Sequence, residues 1–551
     1  MQENKNLILA IVLCLVVLFG WGRFAEYMGW VKPAPAPEQA EEKEVVSVEP
    51  ERKAAPALPL KFAPGREFKV DTPLYEAIFT TGGGALKSFK LKKYRSGITP
   101  DSPLVNLVDE DAAAVGPLGL VVNKQPSWSS GQWSDENARD ITLREGEKGS
   151  FVISGEADNL RIRREFSIDA DIYLIREKIF VSNPGEQTRT ARIAYTEAMD
   201  ASRLSGGQYD SMVVAWDDNG SLEDESSAKT LRATGAQATG NIYWAGPMTT
   251  YFLSAIAPAE TAGGSVKARA QGEVYRVSLE EEEFTLAPGE ERELRVSYWM
   301  GPKDRKLLSA VSDQLAKSID LGFFSVIGKG LIWLLEFFYD YVHNWGVAII
   351  LLTFLIKAVF WPLTAKSYNS MEKMKELQPM MLKIREKYKD NREEMNKEIM
   401  GLYKTYKVNP MSGCVPMLIQ IPVFFGLYQA LLSSIALRHA SFIPYLPGTH
   451  VVWLADLSAK DPLYITPIVM GLTMFLQQRM SPAPADPIQA KVMMFLPLIF
   501  TVLFLNFPAG LVVYWLVNNI LTIFQQWLSI RKHKKRKSGR QIETKNQATN
   551  R

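Results

Sequence analysis

A single cation in an otherwise apolar run is the feature of this chain with the most chemistry to explain. Lys357 sits within Ile349–Leu363 (IILLTFLIKAVFWPL), and no acidic residue shares that run. An ionised side chain at the centre of a hydrocarbon layer costs about 2.5–3.5 kcal/mol on insertion scales. Snorkelling toward headgroups would relieve that cost, and so would a polar cavity. Lys366 is nine residues further on, roughly 13 Å at helical rise, so the second arrangement is favoured. Thr353, one turn from Lys357 on the same helical face, points the same way.

Other polar side chains interrupt the apolar runs. Gln420 lies in the next run, Gln477 and Gln478 close a later one, and Asn518, Asn519 and Gln525 mark the last. Amides facing lipid would go unsatisfied, so these are expected to face one another or water. Hydrogen-bond glue between helices accounts for the amides but not for Lys357. The expectation is a positively charged recess.

Enzymatic chemistry finds little support. Residues 61–320 contain neither His nor Cys, which removes the usual zinc sites and His-based catalysis from that stretch. Cys14 and Cys414 each lie in or beside an apolar run, so no disulfide framework exists. Gly82–Ser88 (GGGALKS) resembles a phosphate loop, but Leu86 stands where that motif needs Gly, so it reads as a strand-joining turn. Glu280–Glu283 reads as a solvated strand edge rather than a catalytic pair. The lack of a nucleotide motif argues against ATP-driven transport. No cofactor and no metal are expected.

The elements that must position these residues change character along the chain. Leu7–Phe19 is apolar and is followed by Trp21, Phe24, Tyr27 and Trp30, an aromatic belt without an A-x-A-like site. This predicts an uncleaved anchor over residues 1–30. Residues 31–60, rich in Pro, Ala, Glu and Lys, form a tether. From residue 61 to 318 the period is two, as in Leu160–Ile168, Tyr173–Val181 and Val274–Leu279, with turns at Ser182–Gly185 and Ala287–Gly289. A large antiparallel sandwich is expected, ending in a helix over 303–318. Residues 319–341 predict an amphipathic helix lying in the interface, because Lys329, Glu336 and Asp340 interrupt it.

Five apolar spans follow within residues 342–530: Trp345–Leu363, Gly413–Leu437, Leu463–Gln478, Val492–Phe507 and Gly510–Leu528. Each approaches the roughly 20 residues that cross a bilayer, the third and fourth being short. With the anchor they make six spans, both termini on one side. The loop 364–412 holds eleven Lys and Arg, and the tail 531–551 adds Arg531, Lys532, Lys534, Lys535, Arg536, Lys537 and Arg540. The loop 438–461 has only Arg438 and Lys460. The positive-inside rule makes the basic segments cytoplasmic and the sandwich periplasmic. Within 366–410, Met371, Met374, Met381, Ile384 and Tyr388 keep helical spacing, as do Met395, Ile399, Leu402 and Tyr406. A helical hairpin is expected, with Asn391 and Glu394 as a capping box. Its stripes pack together or present methionines to varied clients. Candidate contacts for a client or ribosome are Met371, Met374, Lys383, Arg385, Lys532 and Lys535.

Asn409–Pro422 (NPMSGCVPMLIQIP), Trp361–Thr364 (WPLT) and Phe507–Val513 (FPAGLVV), in that family's order and spacing, resemble the YidC/Oxa/Alb family of membrane insertases. Anchor, tether and β domain are similar to its Gram-negative layout. The resemblance implies a β-supersandwich fold for the periplasmic domain. It also implies a hydrophilic groove open to cytoplasm and lipid, in which a basic residue of the second span sits; the matching position is Lys357. Well-known members carry Arg there, and Lys keeps the charge but loses the planar fork. A groove aromatic of the last span maps to Tyr514 or Trp515, with Trp515 opposite Thr353 preferred. Gln420, Gln478 and Asn518 complete the candidate set. Implied partners are nascent membrane proteins, the Sec translocon, the ribosome and lipid; no DNA and no small-molecule substrate are implied. A membrane-anchored periplasmic glycan protein is the alternative, and it would need a carboxylate pair in a sugar-sized cleft. A small-solute transporter would need repeated halves, which are not seen.

Overall fold

A computed structural model of the chain describes residues 65–129, 132–202, 211–259, 264–408, 415–481 and 487–549; the expected anchor and tether lie outside them. Where apolar and polar residues alternate, strands form. Leu160–Asp169 buries Leu160, Ile162, Arg164, Phe166 and Ile168 and leaves Arg161 and Ser167 exposed. It pairs antiparallel with Lys148–Ala157 on one side and Leu174–Ser182 on the other. These strands belong to a nine-stranded sheet, which faces a six-stranded sheet containing Ile193–Asp200 and Val274–Glu280. Ile193–Asp200 is buried along its whole length, as a strand at the centre of a sandwich must be. A five-stranded sheet combines four strands between Glu67 and Asn106 with Ile141–Thr142; the pairing of Glu67–Asp71 with Ile141–Thr142 is parallel, an exception to the expected antiparallel pattern. One apolar core runs through all three sheets.

The phosphate-loop look-alike is a turn. Gly83 and Gly84 adopt positive φ between Tyr75–Thr80 and Leu86–Arg95, a conformation that glycine takes at no steric cost. The helix expected over 303–318 is broken in two, Arg305–Val311 and Asp313–Ala316. Ser312 is extended there, and its hydroxyl accepts from Gln314 N at 3.2 Å. A serine that caps a second helix stops the first.

The helical part begins with α1 (Ser325–Val342) and α2 (Trp345–Lys387), the latter capped by Asn344, which accepts from Val347 N at 3.0 Å. The rest comprises α3 (Arg392–Thr405), α4 (Val415–Ser433), α5 (Ile465–Met480), α6 (Pro487–Phe504) and α7 (Ala509–Thr549). Among the described residues, α2 and Ala509–His533 of α7 are long and apolar enough to cross a membrane. Ile419–Ser433 and Lys491–Phe504 are shorter apolar helices. α1 lies on α4, where Gly328 and Gly426 let the two backbones approach. Between α4 and α5 a small hairpin pairs Ile443–Tyr445 with Val452–Leu454. Hydrogen bonding within each helix satisfies the backbone of an apolar segment without help from water.

The two parts are joined by more than the chain. Ile435, just past α4, is buried in the core of the β domain. Arg438 Nη1 donates to Arg95 O at 2.8 Å, and its guanidinium lies over the rings of Tyr251 and Phe252. Lys306 and Glu336 form an ion pair at 2.9 Å between the Arg305–Val311 helix and α1.

Candidate functional site: a polar seam around Lys357

Helical periodicity places Thr353, Lys357, Thr364 and Tyr368 along one face of α2, and Asn518, Thr522, Gln525 and Ser529 along one face of α7. The two faces meet. Lys357 Nζ donates to Thr522 Oγ1 at 2.7 Å. Thr522 Oγ1 donates onward to Asn518 O at 2.7 Å, and Tyr368 hydrogen-bonds to the same hydroxyl. Further along, Gln525 Nε2 donates to Thr364 Oγ1 at 2.6 Å and to Trp361 O at 3.3 Å. Ser529 Oγ donates to Asn369 Oδ1 at 3.2 Å. Lys357 itself is half-buried, and among the described residues no carboxylate lies against its ammonium.

The expected site residues separate into groups. Lys357 and Asn518 come together through Thr522. Gln420 Nε2, from α4, donates to the hydroxyl of Tyr514, which is fully buried. Of the two aromatic candidates, Tyr514 therefore takes the polar contact. Trp515 packs into an aromatic cluster with Phe424 at 4.9 Å and Phe504 at 5.3 Å, and its buried Nε1 has no hydrogen-bond partner among the described residues. Thr353 is buried, with its hydroxyl bonded to Ile349 O of its own helix at 2.7 Å. Gln478 Nε2 donates to Met493 O, tying α5 to α6 away from Lys357. The buried Oδ1 of Asn518 has no hydrogen-bond partner among the described residues.

In the hairpin, Asn391 caps α3 and accepts from Glu394 N at 3.1 Å. The stripes of α2 and α3 pack on each other, Tyr403 OH lying 3.0 Å from Met381 Sδ. Met371 is buried and Met374 half-buried, whereas Met380 and Met400 are exposed. Lys383 is exposed and Arg385 half-buried. Lys532 and Lys535 are exposed on the extension of α7, which His533 ties to Glu376 of α2 at 3.4 Å.

Residues not singled out from the sequence matter here. Thr522, Tyr368 and Ser529 complete the seam; the signal for Thr522 and Ser529 was the repeat of polar residues at 518, 522, 525 and 529. In the β domain, Arg164 and Glu177 are both fully buried. Arg164 Nε and Nη2 reach Glu177 at 2.5 and 3.0 Å; Nη1 and Nη2 reach Gly83 O and Leu118 O at 2.5 and 2.6 Å. Burial pushes the Glu177 carboxyl up, while Arg164 and the Tyr298 hydroxyl pull against it. Glu197, equally buried, accepts from Ser254 Oγ at 2.7 Å, and burial raises it to about 8. Glu280 and Glu283 are engaged by Lys267 at 2.5 Å and Arg192 at 3.0 Å, a solvated ion-pair edge. A cavity of about 600 Å³ lies between the β domain and α1, lined by Asp224, Lys303, Asp320 and Lys329, not at Lys357.

Residues 337–537 match the family model described as 60Kd inner membrane protein, and residues 67–334 match that of the YidC periplasmic domain. A protein of Nitratidesulfovibrio vulgaris named membrane protein insertase YidC is 52% identical over 96% of this chain and 100% of its own length. One of the same name from Lawsonia intracellularis is 49% identical over the same shares. A solved structure, "Active YidC insertase crystal structure with the first transmembrane domain resolved", aligns with 85% of this chain and 93% of its own, at 18% identity and a TM-score of 0.34.

Proposed function

This chain belongs to the YidC family and is a membrane protein insertase of the inner membrane with a periplasmic domain, and we propose that it works through a polar recess centred on Lys357. The observation that carries this reading is the ammonium itself. It is half-buried in an apolar helix, held by the hydroxyl of Thr522, and has no carboxylate beside it among the described residues. A cation neutralised by a fixed acid would be structural. One left with its charge is an attractor.

In this reading the anchor and five helical spans make six crossings with both termini in the cytoplasm. The α2–α3 hairpin and the basic end of α7 are then cytoplasmic. The domain limits 31–60, 61–318, 319–341, 342–530 and 531–551 carry over as tether, β domain, interfacial helix, insertase core and tail. A client's short hydrophilic segment enters beside Lys357, whose charge attracts its acidic residues. Its apolar segment moves along the exposed faces of α2, α4 and α7, where Phe354, Val359, Phe425 and Ile520 are open, and partitions into lipid. That partition supplies about 25 cal/mol per Å² of apolar surface. No covalent step is needed. Nascent membrane proteins are the clients, with the Sec translocon and ribosome as partners. The exposed Lys532 and Lys535 support contact with an acidic surface.

The test is reconstitution of the purified protein in liposomes with a single-span client, scored by protease protection. Lys357→Ala slows insertion of clients with acidic translocated tails, and Lys357→Arg retains it. Full activity of Lys357→Glu on such clients would overturn the role given to the charge.

A further inference from the structure

The stretch Ala440–Ala455 (ASFIPYLPGTHVVWLA) carries no Asp, Glu, Lys or Arg, although it connects two helices outside the core. It folds as the hairpin between α4 and α5. Phe442 N donates to Leu454 O at 2.9 Å near the base, and Leu446 N to Val451 O at 2.9 Å near the turn. Tyr445 stands directly opposite Val452, and Ile443 opposite Leu454, so these four side chains share one face. That face changes along its length. Leu454 is buried at the base, while Tyr445 and Val452 near the turn are exposed at 53% and 42%.

The base is held firmly. Asn344 Nδ2 donates to Phe442 O at 3.1 Å, and the Phe442 ring sits against Gly346 in the first turn of α2. The same turn carries Trp345, stacked on Tyr339 of α1 at 4.1 Å. α1 in turn exposes Trp333, Phe337 and Tyr341. The hairpin and α1 thus join one another at the start of α2, and both present exposed aromatic and aliphatic side chains. A two-stranded hairpin is marginal in water, and open apolar patches mark an interaction surface. Tyr and Trp at such a level suit the boundary between headgroups and acyl chains.

We propose that the Ile443–Leu454 hairpin is a second interfacial foot, its Tyr445–Val452 face seated in the lipid boundary of the leaflet that α1 also contacts. This rests on the membrane-spanning reading above. The continuity with α1 and the uncharged run favour lipid over a protein partner. Together the two feet would set the depth of α2, and with it the level of Lys357.

The full chain, with Cys14→Ser and Cys414→Ser, is labelled with an environment-sensitive dye at Val452→Cys or, at the turn, Thr449→Cys. It is reconstituted in vesicles of phosphatidylethanolamine and phosphatidylglycerol containing lipids with a nitroxide high on the acyl chain. Leu472→Cys on α5 serves as the bilayer reference and Ile98→Cys on the β domain as the aqueous one. The expected result is quenching by the nitroxide lipid at Val452 and Thr449, with severalfold less access to iodide than at Ile98. If Leu472 is quenched while both hairpin positions behave like Ile98, the foot is wrong and the spanning reading survives. If Leu472 is not quenched either, both fall.

Discussion

Two buried cations, one in each half of the molecule, have opposite surroundings. Arg164, in the β domain, is fully enclosed and has a bidentate carboxylate, two backbone carbonyls and no route to solvent. Lys357, in the helical half, is only partly enclosed and has one neutral hydroxyl. A closed pair of charges holds its surroundings in register; the interior compensates it completely or the fold suffers. An incompletely compensated cation at a partly open position adds little to stability and leaves its field available to something that comes and goes. On the function proposed above, the contrast separates structural charge from working charge in one chain.

The largest test of that contrast is Arg164→Met. It strands Glu177 in the sandwich core and is expected to cost about 3–5 kcal/mol. Adding Glu177→Gln should recover much of the loss, because a neutral amide is far less expensive to bury. Denaturant unfolding of the full chain in detergent, followed by the β-domain tryptophans, measures both. Lys357→Met in the same assay should leave the unfolding midpoint of the β domain unmoved. A large shift there would erase the distinction.

Glu197 sharpens the point from the acidic side. Burial is the largest cause of its raised value, about 8 against 4.5 for a free glutamate. Its folded form therefore keeps a proton that the unfolded chain releases. Its contribution to stability is complete below pH 4.5 and declines as pH rises toward 8, by at most about 1.4 kcal/mol per pH unit. Glu197→Gln should flatten that part of the stability profile. An unchanged slope would mean that the carboxyl is solvated or paired in the folded state.

How far these features could be read from the sequence depends on their period. The alternation that marks Leu160–Ile168 as a strand also puts Arg164 in phase with Ile162 and Phe166. Glu177 is likewise in phase with Ile175 and Ile179. Both charges were therefore legible as inward-facing, but that they meet depends on the register of neighbouring strands, which no local pattern contains. Lys357 was legible because nothing near it in the chain is charged. Its partner was not, since Thr522 lies 165 residues away and threonine is unremarkable in an apolar helix. The break at Ser312 was missed because serine is tolerated inside helices, and only the turn geometry reveals it as a cap. Tyr514 and Trp515 are adjacent, so a one-residue rotation about α7 decides which meets Gln420.

Thr522→Val probes the open side more gently. The ammonium loses one hydrogen bond, worth about 1 kcal/mol or roughly fivefold in a rate. If Thr522 positions Lys357, insertion of acidic-tailed clients falls by that much, and Thr522→Ser restores it. Clients with neutral tails should be unaffected. An equal loss for both client classes would indicate that Thr522 merely packs α2 against α7.

The smallest effect belongs to the pair that resembles neither buried cation. Lys306 and Glu336 meet at 2.9 Å, but the lysine side chain is 75% exposed. The hydrogen bond to Glu336 is the main reason that the Lys306 ammonium is raised. Exposed pairs contribute about 0–1 kcal/mol and weaken with salt. A double-mutant cycle of Lys306→Ala and Glu336→Ala should therefore show weak coupling that vanishes at high ionic strength. Docking of the β domain on the helical half, followed by limited proteolysis between residues 303 and 325, should persist in both variants. Ile435 in the β core and Arg438 over Tyr251 and Phe252 remain to hold it. Ile435→Asp, which places an unpaired charge in that core, should release the domain where the surface pair does not.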